Sequence, residues 1–149
     1  MLGLDTTGTI KLNTSVDGTA VVVSDSTVVT GFTNGTLRGI AVSLDVSANT
    51  TTFYTTESSP STPSNKVVWT QLGDAVTHTT ASIADTAALI TIGGHQDAVT
   101  GGNWTGRIMR AYAIASTDPT VAPAWDFDAR ALTPGVTTGT MPTGEVWTA

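Results

Sequence analysis

The sequence contains no cysteine among its 149 residues, which excludes disulfide bonds, thiolate metal sites and cysteine nucleophiles together. Charged residues make up only 12% of the chain, about half of the share that is usual in a soluble domain. Lysine and glutamate, which populate the surfaces of helices, are scarce, and Glu57 and Glu145 are the only glutamates. These shortages disfavour a helical protein and point to sheet.

The balance of charge excludes further classes of partner. The net charge is −6, and the 6 lysine and arginine residues are scattered along the chain. A protein that binds a phosphate backbone needs a basic patch, so nucleic acid is not expected as a partner. An anionic membrane surface is excluded for the same reason. The longest apolar runs, such as residues 20–23, are far too short to cross a bilayer.

Threonine, serine and short β-type runs are what the chain has in abundance. Threonine favours strands because its branched Cβ suits a pleated surface. Residues 37–46 give the clearest strand, since Ile40, Val42, Leu44 and Val46 recur at period two and share one face.

Turn residues separate these runs. The segment Asp-Thr-Thr-Gly at residues 5–8 predicts a hairpin between strands at residues 2–4 and 9–13. The Asp-Gly pair at residues 17–18 is a second turn signal and precedes a strand at residues 19–24.

A third hairpin is expected between residues 51–56 and residues 67–72. The loop between them, residues 57–65, holds two prolines and four serines, a composition typical of an exposed irregular loop. Further strands are expected at residues 88–92, residues 106–115, Trp125–Asp128 and Val146–Thr148. Roughly ten short strands without a helix predict a single domain over residues 1–149, built as a two-sheet sandwich or barrel.

Three stretches, taken in order, carry a family resemblance. They are LRGIAVSLDV followed by TTTFYTT, then VVWTQLGDAVT, then ALITIGGHQDAVTGGNWTGRIMRAYAIAS. Their order resembles the later part of a concanavalin A-like, LamG-like jelly roll. In that family an Ile-Gly-Gly strand precedes a loop, and Trp-x-Gly-x-Ile opens the next strand. Those elements stand here at residues 92–94 and 104–108.

The end of the chain narrows the resemblance. It reads WDFDARALTPGVTTGTMPTGEVWTA and resembles the ending of LamG-like domains in virion proteins of tailed phages, mainly actinobacteriophages. There an Asp-Phe-Asp segment, a Thr/Gly-rich crossover and a final Gly-x-x-Trp-Thr strand finish the fold. The resemblance implies an all-β, two-sheet antiparallel jelly-roll sandwich.

The family usually carries further strands ahead of the Leu-Gly-Leu-Asp segment with which this chain begins. A sandwich without an edge strand exposes unpaired N–H and C=O groups, and a neighbouring chain can cover them by strand addition. We therefore expect a jelly roll that lacks its first strands and that is completed by another subunit, either a second copy or another virion protein.

Aromatic side chains and one loop are the candidate ligand-binding features. Sugars stack on exposed rings, and Tyr54 and Trp69 lie on two strands that are expected to pair, with one ring exposed. The loop at residues 94–103 is the second candidate. Its candidate ligand-binding residues are His95, Asp97 and Asn103.

Calcium is the usual ligand of LamG-like domains, and it takes oxygens from aspartate, asparagine and backbone carbonyls. Asp17, Asp97 and Asn103 are the loop residues that offer such oxygens, but no dense Asp-x-Asp-Gly cluster joins them. No cofactor is therefore expected, with a structural calcium ion as the alternative. His78 and His95 have no second histidine or carboxylate cluster beside them in the sequence and are expected to be structural.

Two aspartates have the spacing of a glycosidase pair. Glucanases of the jelly-roll type place acids at period two along one strand, and Asp126 and Asp128 stand at that interval on either side of the apolar Phe127. In the family resemblance they begin the last crossover rather than line a cleft. We expect them to cap turns or face solvent, and no enzymatic activity is expected.

The resemblance implies a virion structural protein of a tailed phage, either a capsid decoration protein or a minor tail protein, that acts by binding surfaces. In a tail, the loops at residues 57–65 and 94–103 would face glycans of the host surface. The alternative is a carbohydrate-binding, lectin-like adhesion module outside a virion. A degenerate glucanase ranks behind both.

Overall fold

A computed structural model describes residues 1–79, 82–83, 107–131, 138–140 and 146–148. These residues form eleven strands and two short 3-10 turns, with no α-helix among them, so the expected all-β class is confirmed. No helix in this part of the chain is long and apolar enough to cross a membrane. The strands are β1 (Leu2–Leu4), β2 (Ile10–Thr14), β3 (Val22–Asp25), β4 (Gly39–Asp45), β5 (Thr50–Thr56), β6 (Thr70–Gln71), β7 (Val76–Thr77), β8 (Arg110–Ala113), β9 (Trp125–Asp128), β10 (Thr138–Thr140) and β11 (Val146–Thr148).

The chain divides into two compact units, Met1–Thr86 and Ala87–Ala149. The first unit holds a sheet of order β1-β2-β3 and a second sheet of order β4-β5-β6, in which β7 also pairs with β5. In the second unit β8 pairs with β9, and β10 pairs with β11. Every strand pair among the described residues is antiparallel. The single domain over residues 1–149 stays a prediction.

The β1–β2 hairpin confirms the turn that was predicted at residues 5–8. One carboxylate oxygen of Asp5, Oδ1, accepts hydrogen bonds from the Thr7 and Thr9 amides at 2.8 and 3.1 Å and from the Thr7 hydroxyl at 2.6 Å. Gly8 closes the turn with a φ of 88°, a conformation that glycine adopts without steric cost. The register then sets Leu4 opposite Ile10.

Strand β3 begins three residues later than the sequence predicts. The Asp17 carboxylate accepts hydrogen bonds from the amides of Thr19 and Ala20, both at 2.8 Å, so those residues still belong to the turn. The ladder with β2 starts only where Thr14 pairs with Val22. A side chain that satisfies backbone donors in this way competes with the sheet.

The β4–β5 hairpin is the longest ladder in the described part of the chain. Seven residue pairs join the two strands, and Val42 stands opposite Phe53. The turn between them uses Asn49, whose φ is 54°, and the Asp45 carboxylate, which accepts a bond from the Ala48 amide at 2.9 Å. The expected face of β4 is confirmed for Ile40, Val42 and Leu44, since Val42 and Leu44 stand opposite the buried Phe53 and Thr51, whereas Val46 lies past the end of the strand.

Strand β6 is much shorter than the expected residues 67–72. The Val67 amide bonds to the Ser64 carbonyl of a 3-10 turn at 3.4 Å, and the Val68 amide bonds to the Ser58 hydroxyl at 3.2 Å. These partners lie in the loop, so the ladder with β5 forms only at Thr70–Gln71.

The core of the first unit mixes apolar and hydroxyl side chains. Ile10 and Phe53 are fully buried, and so is Thr51, which lies on the same face of β5 as Phe53. Thr51 Oγ1 donates a hydrogen bond to Ser24 Oγ at 3.4 Å and thereby joins β5 of one sheet to β3 of the other. Buried hydroxyls need such partners, because burial without a hydrogen bond is costly.

The second unit departs from the sequence prediction at two strands. The strand expected at residues 106–115 is confined to Arg110–Ala113. Residues 138–140, which the family resemblance assigned to a crossover, form β10, with Thr138 opposite Thr148 of β11. The strand expected at residues 88–92 lies outside the described residues.

Candidate ligand-binding site

Tyr54 and Trp69 lie on one face of the β4–β5–β6 sheet. Tyr54 stands opposite Ala41 on one side and Gln71 on the other. Because side chains alternate along a strand, Trp69, two residues before Gln71, belongs to the same face as Gln71 and Tyr54. We call this surface the Trp69 face. It comprises Gly39, Ala41, Ser43, Thr52, Tyr54, Thr56, Trp69 and Gln71.

The Trp69 indole extends across the sheet. A Cβ placed on Gly39 would lie 3.5 Å from Trp69 Cη2 and 3.7 Å from Cζ3. Gly39 is on β4, whereas Trp69 precedes β6, and β5 runs between those strands. The ring therefore crosses the end of β5 at Thr56, which is buried although it belongs to this face. The indole thus covers Thr56 and reaches from the β6 side of the sheet to β4.

Glycine at position 39 is what permits this arrangement. A Cβ there would lie only 2.5 Å from the Thr56 methyl carbon Cγ2, a distance that no packed pair of carbons adopts. The Thr56 side chain is itself fixed, because its Oγ1 donates to the Val68 carbonyl at 2.7 Å and accepts from the Ser58 amide at 3.0 Å.

A pair of opposite charges lies just beyond one end of the β4–β5 ladder. Arg38 and Glu57 directly flank the paired residues Gly39 and Thr56, and Arg38 Nη2 lies 3.0 Å from Glu57 Oε1. Glu57 is exposed, so the ion pair contributes little to stability. Sequence reasoning missed this pair, because 19 residues separate its members.

Of the five residues predicted to bind a ligand, the structure brings two together. Tyr54 and Trp69 are both half-buried and share the Trp69 face, so the expected strand pairing places both rings, rather than one, at the same surface. His95, Asp97 and Asn103 lie outside the described residues. Gln71 completes the face, and its Nε2 donates to the Gly73 carbonyl at 2.9 Å, which orients its amide.

His78 has a structural position, as the sequence predicted. It is buried, its backbone amide bonds to the Asn49 carbonyl at 3.1 Å, and its Nε2 lies 3.1 Å from the Asp45 carbonyl oxygen. A carbonyl only accepts, so Nε2 is the protonated ring nitrogen. The histidine thus ties β7 to the β4–β5 turn.

Asp126 and Asp128 are held by arginines on one face of the β8–β9 hairpin. Asp126 accepts two hydrogen bonds from Arg110, and Asp128 accepts two from Arg130. The Asp128 carboxylate also accepts a bond from the Arg130 amide at 3.0 Å, which caps the 3-10 turn as expected. For Asp126 the expectation of a turn cap or a solvent-facing group was wrong, because the sequence did not reveal Arg110 as its partner.

The electrostatics of these acids differ from those of a glycosidase pair. Hydrogen bonds from Arg130 hold the pKa of Asp128 below its ordinary value. The hydrogen bond to Asp126 raises the pKa of Arg110. A general acid for glycoside cleavage needs the opposite, a carboxyl whose pKa is raised.

The described residues contain no group of three histidine, aspartate or glutamate side chains that could hold a metal ion. Asp17 is the one described residue of the three that were expected to offer oxygens to calcium. Its Oδ1 already accepts hydrogen bonds within its own turn, from the Ser15 hydroxyl and from the Thr19 and Ala20 amides. Asp97 and Asn103 lie outside this part of the chain.

No protein-family model, curated protein or solved structure matches the chain. The resemblance to LamG-like jelly rolls therefore rests on the sequence motifs alone, and the jelly-roll order of strands stays a prediction.

Proposed function

We propose that this chain is a structural protein of a tailed-phage virion that acts by binding surfaces, as a capsid decoration protein or a minor tail protein. The observation that carries the proposal is a run of exposed valines around strand β3, which we call the valine segment (residues 21–29). Its members Val21, Val23, Val28 and Val29 are 61%, 51%, 49% and 52% exposed. The four valines lie within nine consecutive residues, and exposed apolar side chains that form one contiguous patch mark an interaction surface.

The exposed valines outnumber the fully buried apolar side chains of the described residues. Among the described residues the fully enclosed apolar side chains are Ile10 and Phe53. Covering a half-exposed valine gains roughly 1 kcal/mol, since full burial gains about 1.5–3 kcal/mol. Contact with a neighbour through the valine segment would therefore add several kcal/mol to the burial seen among the described residues. A subunit that is stabilised by its assembly has this distribution of apolar side chains.

The described carboxylates support a binding role rather than catalysis. Asp5, Asp17, Asp45 and Asp118 each accept hydrogen bonds within a turn, and these bonds lower the pKa of every one of the four. Groups in such positions shape loops and do not exchange protons near neutral pH. The proposed partners are other virion proteins and further copies of the chain, in the virion. The net charge of −6 disfavours nucleic acid and membrane.

The second candidate is a carbohydrate-binding, lectin-like adhesion module outside a virion. The flat indole of Trp69 with Tyr54 on the same face favours it. Both candidates act by binding and differ in where the chain resides.

Copy number in purified virions tests the proposal. Quantitative mass spectrometry of gradient-purified particles should detect the chain in proportion to the major capsid protein. Hundreds of copies identify a decoration protein, and a handful identify a tail protein. Particles without the chain would reject the virion proposal and leave the adhesion module.

A further inference from the structure

We infer that Asn34 is a site of spontaneous covalent modification, at which the side-chain amide is lost through a cyclic succinimide and the residue becomes aspartate or isoaspartate. The site is the exposed turn at residues 33–36, which precedes strand β4. The inference concerns the chemistry of this turn and is independent of whether the chain resides in a virion.

The pair Asn34–Gly35 has the residue types that this reaction requires. Asparagine is among the thermolabile residues, because the amide nitrogen of the next residue can close a five-membered ring on its Cγ. A side chain on the next residue hinders that approach, and glycine has none. The other four asparagines are followed by threonine, lysine or tryptophan. The sequence thus singles out Asn34.

The structure of the turn leaves both reacting groups open to water. Asn34 and Gly35 are exposed, and a Cβ built on Gly35 would meet no atom within 4 Å. The turn is closed by the amide and the hydroxyl of Thr36, which donate to the Thr33 carbonyl at 3.3 and 2.7 Å. Among the described residues, neither the Asn34 side chain nor the Gly35 amide has a hydrogen-bond partner. Ring closure at Asn34 therefore breaks no bond of either group.

The Asp17–Gly18 turn shows the opposite arrangement and serves as the internal comparison. There the Gly18 amide, which corresponds to the attacking group, donates to Ser15 Oγ at 2.9 Å. Asp17 Oδ1 accepts bonds from the Ser15 hydroxyl at 3.1 Å and from the Thr19 amide at 2.8 Å. Ring closure in this turn would have to break those bonds. The open turn, and not the following glycine alone, distinguishes Asn34.

The reaction consumes one water molecule and releases one ammonia molecule. The Gly35 nitrogen bonds to Asn34 Cγ and gives its proton to solvent, while the Cγ–Nδ2 bond breaks and the side-chain nitrogen takes up a proton and leaves. Water then opens the ring. Addition at Cγ gives aspartate, and addition at the main-chain carbonyl gives isoaspartate, whose backbone is longer by one methylene group. Either product adds a negative charge to a chain of net charge −6.

Mass spectrometry of the aged full chain tests this inference. After incubation of the folded chain in mildly alkaline buffer, trypsin releases residues 12–38 as one peptide, which Lys11 and Arg38 delimit. The same peptide contains Asn13, which lies in the β2–β3 ladder and is the control within the molecule. We expect the mass change from amide to acid at Asn34, in two chromatographic products, with Asn13 unchanged. An isoaspartate-specific methyltransferase should label one of the two products.

Two variants separate the geometry of the turn from its sequence. Gly35→Ala puts a methyl group in the path of attack and should slow the loss of the amide severalfold. Asp17→Asn places the same dipeptide in the closed turn. In the folded chain its amide should be lost more slowly than that of Asn34, and in urea, where the Gly18 amide no longer bonds to Ser15, the two rates should become similar.

Three results would overturn the inference. The first is an Asn34 amide that persists in the folded chain many times longer than in the unfolded chain. The second is loss of the Asn13 amide before that of Asn34. The third is an Asp17→Asn amide that is lost as fast as that of Asn34 in the folded chain. The comparison of Asn34 with Asn13 uses the native chain, so it holds even if Gly35→Ala disturbs the fold.

Discussion

Arg110 and Asp126 form a two-bond ion pair across the β8–β9 hairpin. Arg110 Nε donates to Asp126 Oδ1 at 2.9 Å, and Nη2 donates to Oδ2 at 2.5 Å. The guanidinium carbon also lies 5.1 Å from the centre of the Tyr112 ring, within the range of a cation–π contact. A fork-to-fork pair of this kind fixes the hairpin register as well as the charge balance.

The first prediction is that the Arg110–Asp126 pair stabilises the fold more than the neighbouring Arg130–Asp128 pair does. The Arg110 and Asp126 side chains are 14% and 19% exposed. Arg110→Ala leaves the Asp126 carboxylate partly desolvated without its partner, so we expect the free energy of unfolding to fall by about 1–3 kcal/mol. Urea denaturation followed by circular dichroism measures the change.

Arg130→Ala is the matched control. Arg130 and Asp128 form the same kind of pair, but their side chains are 34% and 24% exposed. Solvent screens this pair more strongly, so its loss should lower the free energy of unfolding clearly less than the loss of Arg110 does. Equal losses in the two variants would contradict the role assigned to Arg110.

The second prediction concerns the stability of the fold at acidic pH. The turn carboxylates of Asp5, Asp17, Asp45 and Asp118 have pKa values lowered by hydrogen bonds, chiefly from threonine, serine and turn amides. The unfolded chain, whose aspartates titrate near about 3.9, takes up protons first as the pH falls. The stabilisation that these four carboxylates give the folded state is complete above about pH 5 and declines below about pH 4. Thermal unfolding between pH 3 and pH 7 should show this decline.

Asp5→Asn isolates one of these turns. The asparagine carbonyl still accepts the bonds from Thr7 and Thr9 but does not titrate. The variant should unfold at a lower temperature at pH 7, and the difference from the native chain should shrink as the pH approaches 3. A constant difference across the range would show that the Asp5 charge has no part in the turn.

The third prediction concerns the support of the Trp69 ring. Gly39→Ala inserts a methyl group 2.5 Å from Thr56 Cγ2 and in contact with the indole. Overpacking at such a site costs about 1–3 kcal/mol. Gly3→Ala is the control, since nothing lies within 4 Å of a Cβ at that strand position. Chemical denaturation should separate the two variants, and a Gly39→Ala chain as stable as Gly3→Ala would contradict the packing described here.

The fourth prediction concerns the hydroxyl contact between the sheets of the first unit. Thr51→Val preserves the shape of a fully buried side chain but removes the bond to Ser24 Oγ. The single variant should lose about 1 kcal/mol because Ser24 remains buried with one partner fewer. In a double-mutant cycle, Ser24→Ala should lower the free energy of unfolding less in the Thr51→Val background than in the native chain. Strict additivity would show that the two hydroxyls do not interact.

The sequence anticipates local features better than distant ones. The turn at residues 5–8 and the apolar face of β4 follow from residue chemistry and from period two, so both were predictable. The partners of Val68 and Asp126 were not, because a loop serine and an arginine 16 residues away supply them. Strand ends depend on such competing partners, which composition does not reveal.

The candidate site likewise combines features that local sequence predicts with features that depend on distant residues. Aromatic residues on two pairing strands indicated Tyr54 and Trp69, and the register places both on one face. The reach of the indole to Gly39 depends on three strands lying side by side, and the Arg38–Glu57 pair depends on the register between β4 and β5. Residues far apart in sequence form these contacts, so a single sequence without a known register does not specify them.

Carbene footprinting of the chain in purified virions, compared with the free chain, tests the central claim most directly. If the protein acts by burying surface, labelling of Val21, Val23, Val28 and Val29 should fall severalfold in the particle, while the loop at residues 57–65 stays labelled. Equal labelling of the valine segment in the particle and in solution would contradict assembly through this surface.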